Sequence, residues 1–323
     1  MKSNNGKFVV ANAVSYLDKT QGSCQLSNEG QNDRMDLYLK LSIVSLRSAM
    51  LHNPGIDAAL VVNFEIPKDR CAEIEGYGIS VHRIIFSKFR MPDCFPWGAA
   101  FFKLEVLAYL TEKYEHIALI DCDTFTVGNF DDMKKESENT ILLYDVQHKL
   151  SHPDRQRNIQ NHHVLFSENL PLIHYGGEII VGSQNNLRQF LEYCEDIIKS
   201  VREKSSMIDN DMGDEQIISS AASRMTDVIQ SANCYLYRYW TSNRFRLLST
   251  NYEYNAVDIW HLPSEKENGF MFLYESLARN GEFPSRKKCV RIFGLNRQKA
   301  GRISEKIRRF RNRTGFFRWF ASL

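Results

Sequence analysis

The stretch that most constrains this chain is residues 116–133, HIALIDCDTFTVGNFDDM. Ile117, Ala118, Leu119 and Ile120 form an apolar run with the length and bulk of a strand buried on both faces. The run delivers Asp121 and Asp123 at its end, and residues two apart on an extended chain point the same way. Neighbouring carboxylates repel unless positive charge sits between them, so the spacing suits a shared divalent cation. Open α/β sheets gather their ligands at such strand ends. The plainer alternative is that the two aspartates only end a strand, while Asp131 and Asp132 open a helix.

Such a strand needs a sheet around it, and the flanking pattern predicts one. A first buried strand is expected over residues 7–11, followed by a polar surface insertion over 15–32. Leu39, Ile43, Leu46 and Met50 recur at helical spacing, and Asn53, Pro54 and Gly55 stop that helix. Strands are expected at 58–62 and 79–85 with a short helical piece between them. This β-α-β-α-β beginning implies a parallel sheet. A helix over 96–114 turns Phe101, Leu104 and Ala108 inward and carries Lys103, and a strand follows at 140–144.

Residues 145–171 show little periodicity and contain His148, His152, His162 and His163, whose spacings match no zinc pattern. They read as a lid or acceptor-facing loop carrying scattered surface histidines. Residues 173–181 enter a strand through Gly176 and Gly177, which lets another group approach the backbone or simply makes the turn. Residues 186–204 form an amphipathic helix with Leu187, Phe190, Leu191, Cys194, Ile197, Ile198 and Val201 on its buried face. The acidic run 209–215 opens a further helix, where carboxylates also suit free N–H groups and the helix dipole. A late strand over 256–262 carries His261, a residue that most often satisfies a structural hydrogen bond in such a place.

At 323 residues and 43% apolar content, the chain suffices for one large α/β domain or two small ones with an extensive core. It has no apolar run of membrane-spanning length, and its start, MKSNNGKFVVANAVSYL, lacks an apolar signal region and cleavage site. Seven cysteines, scattered and never spaced C-x-x-C, suggest neither a disulfide framework nor a zinc site. The expected location is cytoplasmic. Charge is unevenly shared: residues 286–323 hold thirteen Lys/Arg against one acid, Glu305, leaving 28 basic and 38 acidic residues before them. Ile303, Ile307 and Phe310 share a helical face opposite Arg and Lys, and Phe316, Phe317, Trp319 and Phe320 follow. A basic face joined to an aromatic one is the pattern of a segment lying in an anionic membrane interface, and the clustered aromatics favour that over nucleic acid. The expected organisation is therefore a domain over 1–285 and a basic, aromatic tail over 286–323, peripheral to a membrane.

Four segments in order resemble retaining GT-A-fold glycosyltransferases of family 8 type, related to glycogenin and the bacterial lipopolysaccharide galactosyltransferases. They are LIDCDTFTVGNFDDM, the Tyr175-Gly176-Gly177 strand entry, DEQIIS from Asp214, and the late strand ending in His261. The Tyr-Gly-Gly entry departs from the family in lacking its asparagine, and the usual sequel to the histidine is replaced by Leu262, Pro263, Ser264, Glu265 and Lys266.

The resemblance implies a Rossmann-like, mixed but mainly parallel sheet flanked by helices. It also implies Mn²⁺ or Mg²⁺ on Asp121, Asp123 and His261, with Asp214 and Glu215 as catalytic residues. Ala11, Asn12, Lys103, Asp121, Asp123, Tyr175, Gly176, Gly177 and Lys266 would bind the donor. The implied reaction moves a hexose from a nucleotide sugar, UDP-linked, to a glycan or glycolipid acceptor with retention, in surface polysaccharide or lipopolysaccharide synthesis. Other classes stay open at this point. A sugar-phosphate nucleotidyltransferase should carry a Gly-rich basic loop after its first strand, where this chain has Ala11, Asn12, Ala13, Val14 and Ser15. A non-catalytic membrane- or RNA-binding protein would account for the tail alone.

Overall fold

The computed structural model describes residues 8–17, 31–241 and 254–295, which form two compact units. The first takes its described residues from 8–17, 53–121 and 130–233, and the second from 31–52, 122–129, 234–241 and 254–295. Residues 18–30 of the insertion expected over 15–32, and residues 296–323 of the tail expected from 286, lie outside the described residues.

The first unit is built on β1 (Phe8–Val14), β2 (Asp57–Val62), β3 (Ser80–Arg83), β4 (His116–Ile120), β6 (Ile141–Asp145), β7 (Tyr175–Ser183) and β8 (Ile229–Ser231), in the order β3-β2-β1-β4-β7-β6-β8. β1 pairs in parallel with β2 and β4, and β7 alone runs against its neighbours β4 and β6. The fold is thus mixed α/β with a mainly parallel sheet flanked by helices, the architecture expected. The central strands are apolar on both faces because helices cover both: Val9, Val10, Ala11, Ile117 and Ala118 are fully buried. The helices are α2 (Lys68–Gly76), α3 (Phe102–Thr111), α4 (Asp131–Glu136), α5 (Pro153–Phe166), α6 (Gln184–Glu203) and α7 (Asp214–Ala222). All seven apolar residues assigned to the buried face of α6 are buried there.

The second unit contains α1 (Gln31–His52), a small sheet ordered β5 (Thr124–Thr126), β10 (Ile259–His261) and β9 (Leu236–Arg238), then α8 (Met271–Asn280) and α9 (Arg286–Phe293). Its core gathers Leu37, Leu41, Val44, Phe125, Trp260, Phe270 and Phe293. The Phe125 ring lies 6.0 Å from Trp260 and 5.6 Å from Phe293, between centroids. The single face expected for α1 is incomplete, since Leu37, Leu41 and Val44 are buried as well as Leu39, Ile43 and Leu46. α9 begins at residue 286, where the sequence placed the start of the tail; its Cys289, Val290, Ile292 and Phe293 are buried in this core. Among the described residues no helix is long and apolar enough to cross a membrane.

Residues 145–171 depart from the loop expected there. Most of the segment is α5, with His152 as N-cap and Pro153 at the first helical position. Its inward face is Asn158, Asn161, His162 and Leu165, spaced as one helical stripe but mostly polar, so a search for apolar periodicity passes over it.

Candidate active site

In the first unit, the end of β4 is pinned from two sides. The fully buried side-chain amide of Asn12 donates to Ile120 O at 2.8 Å, and the Asp121 N–H donates to Glu178 O at 2.9 Å. Asn12 therefore ties β1 to the strand that presents Asp121, while Ala11 lies in the sheet core. Over this strand end, α3 extends Lys103. Its Nζ donates to Gly177 O at 2.7 Å and sits 2.7 Å from Asp121 Oδ1 and 3.2 Å from Asp214 Oδ2. One ammonium thus joins three segments that lie well apart in the sequence, at residues 121, 177 and 214.

Gly177 is glycine because Asp214 occupies the space a side chain would need: an added Cβ would lie 2.0 Å from Asp214 Oδ2 and 2.9 Å from Lys103 Nζ. Of the two readings of the Tyr-Gly-Gly entry, close approach is the one found at Gly177. Tyr175 is buried, and its N–H donates to Ser219 Oγ at 2.9 Å. Burial opposes the charge on Lys103, but Asp121, Asp214 and Glu178 outweigh it and hold the ammonium pKa above its ordinary value. Burial pushes the Asp214 carboxyl up to about 6; Lys103 works against that shift, while Glu215 and Asp121 add to it.

Glu215, one residue into α7, has a one-third exposed side chain, with Oε2 2.9 Å from His174 Nε2. His174 is buried, and its Nδ1 lies 3.0 Å from His148 Nδ1. His148 in turn stacks on His152, with centroids 3.5 Å apart and rings 16° from parallel. Burial first, then His174 and His152, push the His148 pKa down to about 4. The expectation of scattered surface histidines is corrected here: His148 and His152 gather with His174, while His162 is buried separately beside Ser220 and Glu168. Spacing could not reveal the group because the residue just before β7 and the lead-in to α5 supply its members. The adjacency of His174 to the Tyr-Gly-Gly entry was the available signal.

In the second unit, His261 ends β10 in antiparallel register with Thr124, which aligns it with the segment carrying Asp123. His261 Nε2 lies 3.2 Å from Asp123 Oδ1, and the Leu262 N–H donates to Asp123 O at 2.9 Å. On the other side Lys266 Nζ forms an ion pair with Asp123 Oδ2. Lys266 starts a π-helical turn, Lys266–Phe270, directly after the 3-10 turn Pro263–Glu265. All three side chains are at least nine-tenths buried. Burial alone would raise the Asp123 pKa, but Lys266 and His261 hold this carboxyl well below the usual carboxylate range.

Asp121 of the first unit and Asp123 and His261 of the second each offer one atom of the kind that ligates a divalent metal ion. Two carboxylate oxygens and one imidazole are a fitting donor set for such an ion. His148, His152 and Asp154, all in the first unit, also offer one ligand atom each, and these atoms lie within 4.8 Å of one another.

No family model matches the chain, and no curated protein matches it. Among solved structures, the apo crystal structure of mouse xyloside xylosyltransferase 1 is similar to it at 8% identity, over 80% of this chain and 97% of that one, with a TM-score of 0.49.

Proposed function

We propose that this chain is a metal-dependent glycosyltransferase that moves a hexose from a nucleotide sugar, UDP-linked, to a glycan or glycolipid acceptor with retained configuration. The observation that carries the reading is the convergence on Lys103: Asp121, Gly177 and Asp214, from three of the segments that resemble retaining transferases, meet at one ammonium. Pairing of β4 with β7 already brings Asp121 near Gly177; that Lys103 and Asp214 join them at the same point is what favours a site.

Asp121, Asp123 and His261 would hold the cation, and their mixed oxygen and nitrogen set suits Mn²⁺, with Mg²⁺ the alternative. When bound, that ion supplies Lewis-acid neutralisation of the departing diphosphate. Lys103, paired with Asp121, and Lys266, paired with Asp123, would each offer fixed positive charge to the donor's diphosphate. Asp214, held in place by Lys103, would receive sugar hydroxyls, with Tyr175, Gly176 and Gly177 beneath the sugar. Glu215 would face the anomeric carbon, where a carboxylate stabilises an oxocarbenium-like centre or attacks it. His174 fixes the carboxylate's orientation. A lipid-linked or lipopolysaccharide acceptor agrees with the basic, aromatic pattern of residues 296–323.

The test is a screen of nucleotide sugars for metal-dependent release of free nucleotide by the purified chain. Release from a UDP-hexose that stops with chelator and returns with Mn²⁺ is expected. No release from any nucleotide sugar, with or without acceptor glycans, would overturn the reading.

A further inference from the structure

We propose that His148, His152 and Asp154 bind a divalent transition-metal ion of the zinc class, and that His174 links this site to Glu215. The site is a different residue set from Asp121, Asp123 and His261, and the inference does not depend on the chain being a transferase.

The donor set comes first. Two imidazoles and one carboxylate, with ligand atoms within 4.8 Å of one another, are the three protein ligands of an open zinc-type site. His152 Nδ1, which caps α5 by accepting the Asp154 N–H at 3.3 Å, stands 3.8 Å from Asp154 Oδ2 and would exchange that long cap bond for the ion. Two donors at ~2.0 Å on one tetrahedral ion stand roughly 3.3 Å apart, so this gap closes with a shift of about half an ångström.

The hydrogen bonds then fix which nitrogen of His148 is available. The Glu215 carboxylate can only accept, so His174 Nε2 carries the proton in the 2.9 Å contact. In a neutral His174 the lone pair is therefore on Nδ1, which makes His148 Nδ1 the donor across their 3.0 Å contact. The lone pair of His148 is left on Nε2, as a metal ligand requires. A carboxylate-histidine chain behind a ligating imidazole is the usual support that sets its tautomer and orientation. The His152 ring, partly exposed at the N-terminus of α5 and stacked on His148, is the member placed to turn toward the ion.

Charge around the group also permits a cation. Arg157 Nη1 lies 3.7 Å from Asp154 Oδ1, but its guanidinium has closer partners, Nε at 3.0 Å from Asp209 and Nη1 at 3.4 Å from Asp211. Asp154 can therefore turn to a metal without stranding that arginine. Arg155 is occupied by the carbonyls of His148, Pro171 and Leu172.

Equilibrium dialysis of the chelator-treated full chain against Zn²⁺ near neutral pH tests the proposal. The wild type should bind one equivalent more than the His148→Ala/His152→Ala variant, or hold that equivalent at least tenfold more tightly. Asp123→Ala should retain it. Equal stoichiometry and affinity in wild type and double variant would overturn the proposal. Carbethoxylation of the wild type, mapped by mass spectrometry, supplies a second readout that needs no variant. Zn²⁺ should protect His148 and His152, and equal modification with and without Zn²⁺ would overturn the site.

Discussion

The carboxylate of Asp214 fills the place where a side chain at Gly177 would be, and an added Cβ there would stand 2.0 Å from Asp214 Oδ2. Gly177→Ala must displace either that carboxylate or the backbone of β7. We expect a stability loss of about 1–3 kcal/mol, as for overpacked cores, together with a fall in donor turnover larger than the stability loss explains. Chemical denaturation and nucleotide release on the same preparation check this; wild-type turnover in the Gly177→Ala protein would remove Asp214 from the site.

Asp123 and Lys266 are buried partners, so removing one strands the other's charge. Lys266→Met alone is expected to cost about 3–5 kcal/mol. The Asp123→Asn/Lys266→Met pair should recover much of that stability while losing metal-dependent turnover. Recovery of stability with turnover intact would show that Asp123 serves only the fold.

The raised Asp214 pKa has a stability consequence with a definite sign. Its folded value of about 6 exceeds the ordinary 3.8, so between these values the folded chain binds the extra proton. The stability this contributes is fully present below about 3.8 and is lost as pH rises through about 6. Asp214→Asn should remove a slope of up to about 1.4 kcal/mol per pH unit across that window. Urea unfolding at a series of pH values measures it, and parallel pH profiles for the two proteins would contradict the assignment.

Glu215→Gln keeps the shape and a hydrogen-bonding oxygen toward His174 while removing the negative charge. If the carboxylate acts on a positively charged transition state, kcat should fall at least tenfold with little change in KM. An unchanged kcat, or a product of inverted configuration, would return Glu215 to an ordinary acid at a helix start.

Residues 296–323 carry nine Lys/Arg against Glu305, together with Phe316, Phe317, Trp319 and Phe320. Their deletion, made beyond α9 so that its buried residues stay, should leave donor hydrolysis intact and abolish flotation with anionic liposomes. Each base contributes on the order of 1 kcal/mol near such a surface, so binding of the full chain should weaken in high salt. Equal flotation of both proteins would assign membrane affinity elsewhere.

Much of the sheet was legible because its strands are apolar on both faces and bounded by helices of clear period; β1, β2, β4, β6 and β7 fall where the pattern puts them. The convergence of Lys103, Asp121 and Asp214 was legible only through resemblance, since no local pattern says which distant residues meet. α5 was missed because its inward stripe is asparagine and histidine. β5, β8 and β9, three residues each, are too short to show a period and exist through their partners.

That polar stripe on α5 gives the helix an unusual kind of attachment. Asn161 exchanges hydrogen bonds with the backbone of Asp209 in both directions, His162 meets Ser220, and the buried amide of Asn158 has no hydrogen-bond partner among the described residues. Apolar seams tolerate small slides and rotations, whereas directional bonds are either made in one register or broken. α5 should therefore behave as a latch: fixed in angle when shut, yet able to detach at lower free energy than its neighbour α6. Its amide protons should exchange with solvent before those of the sheet.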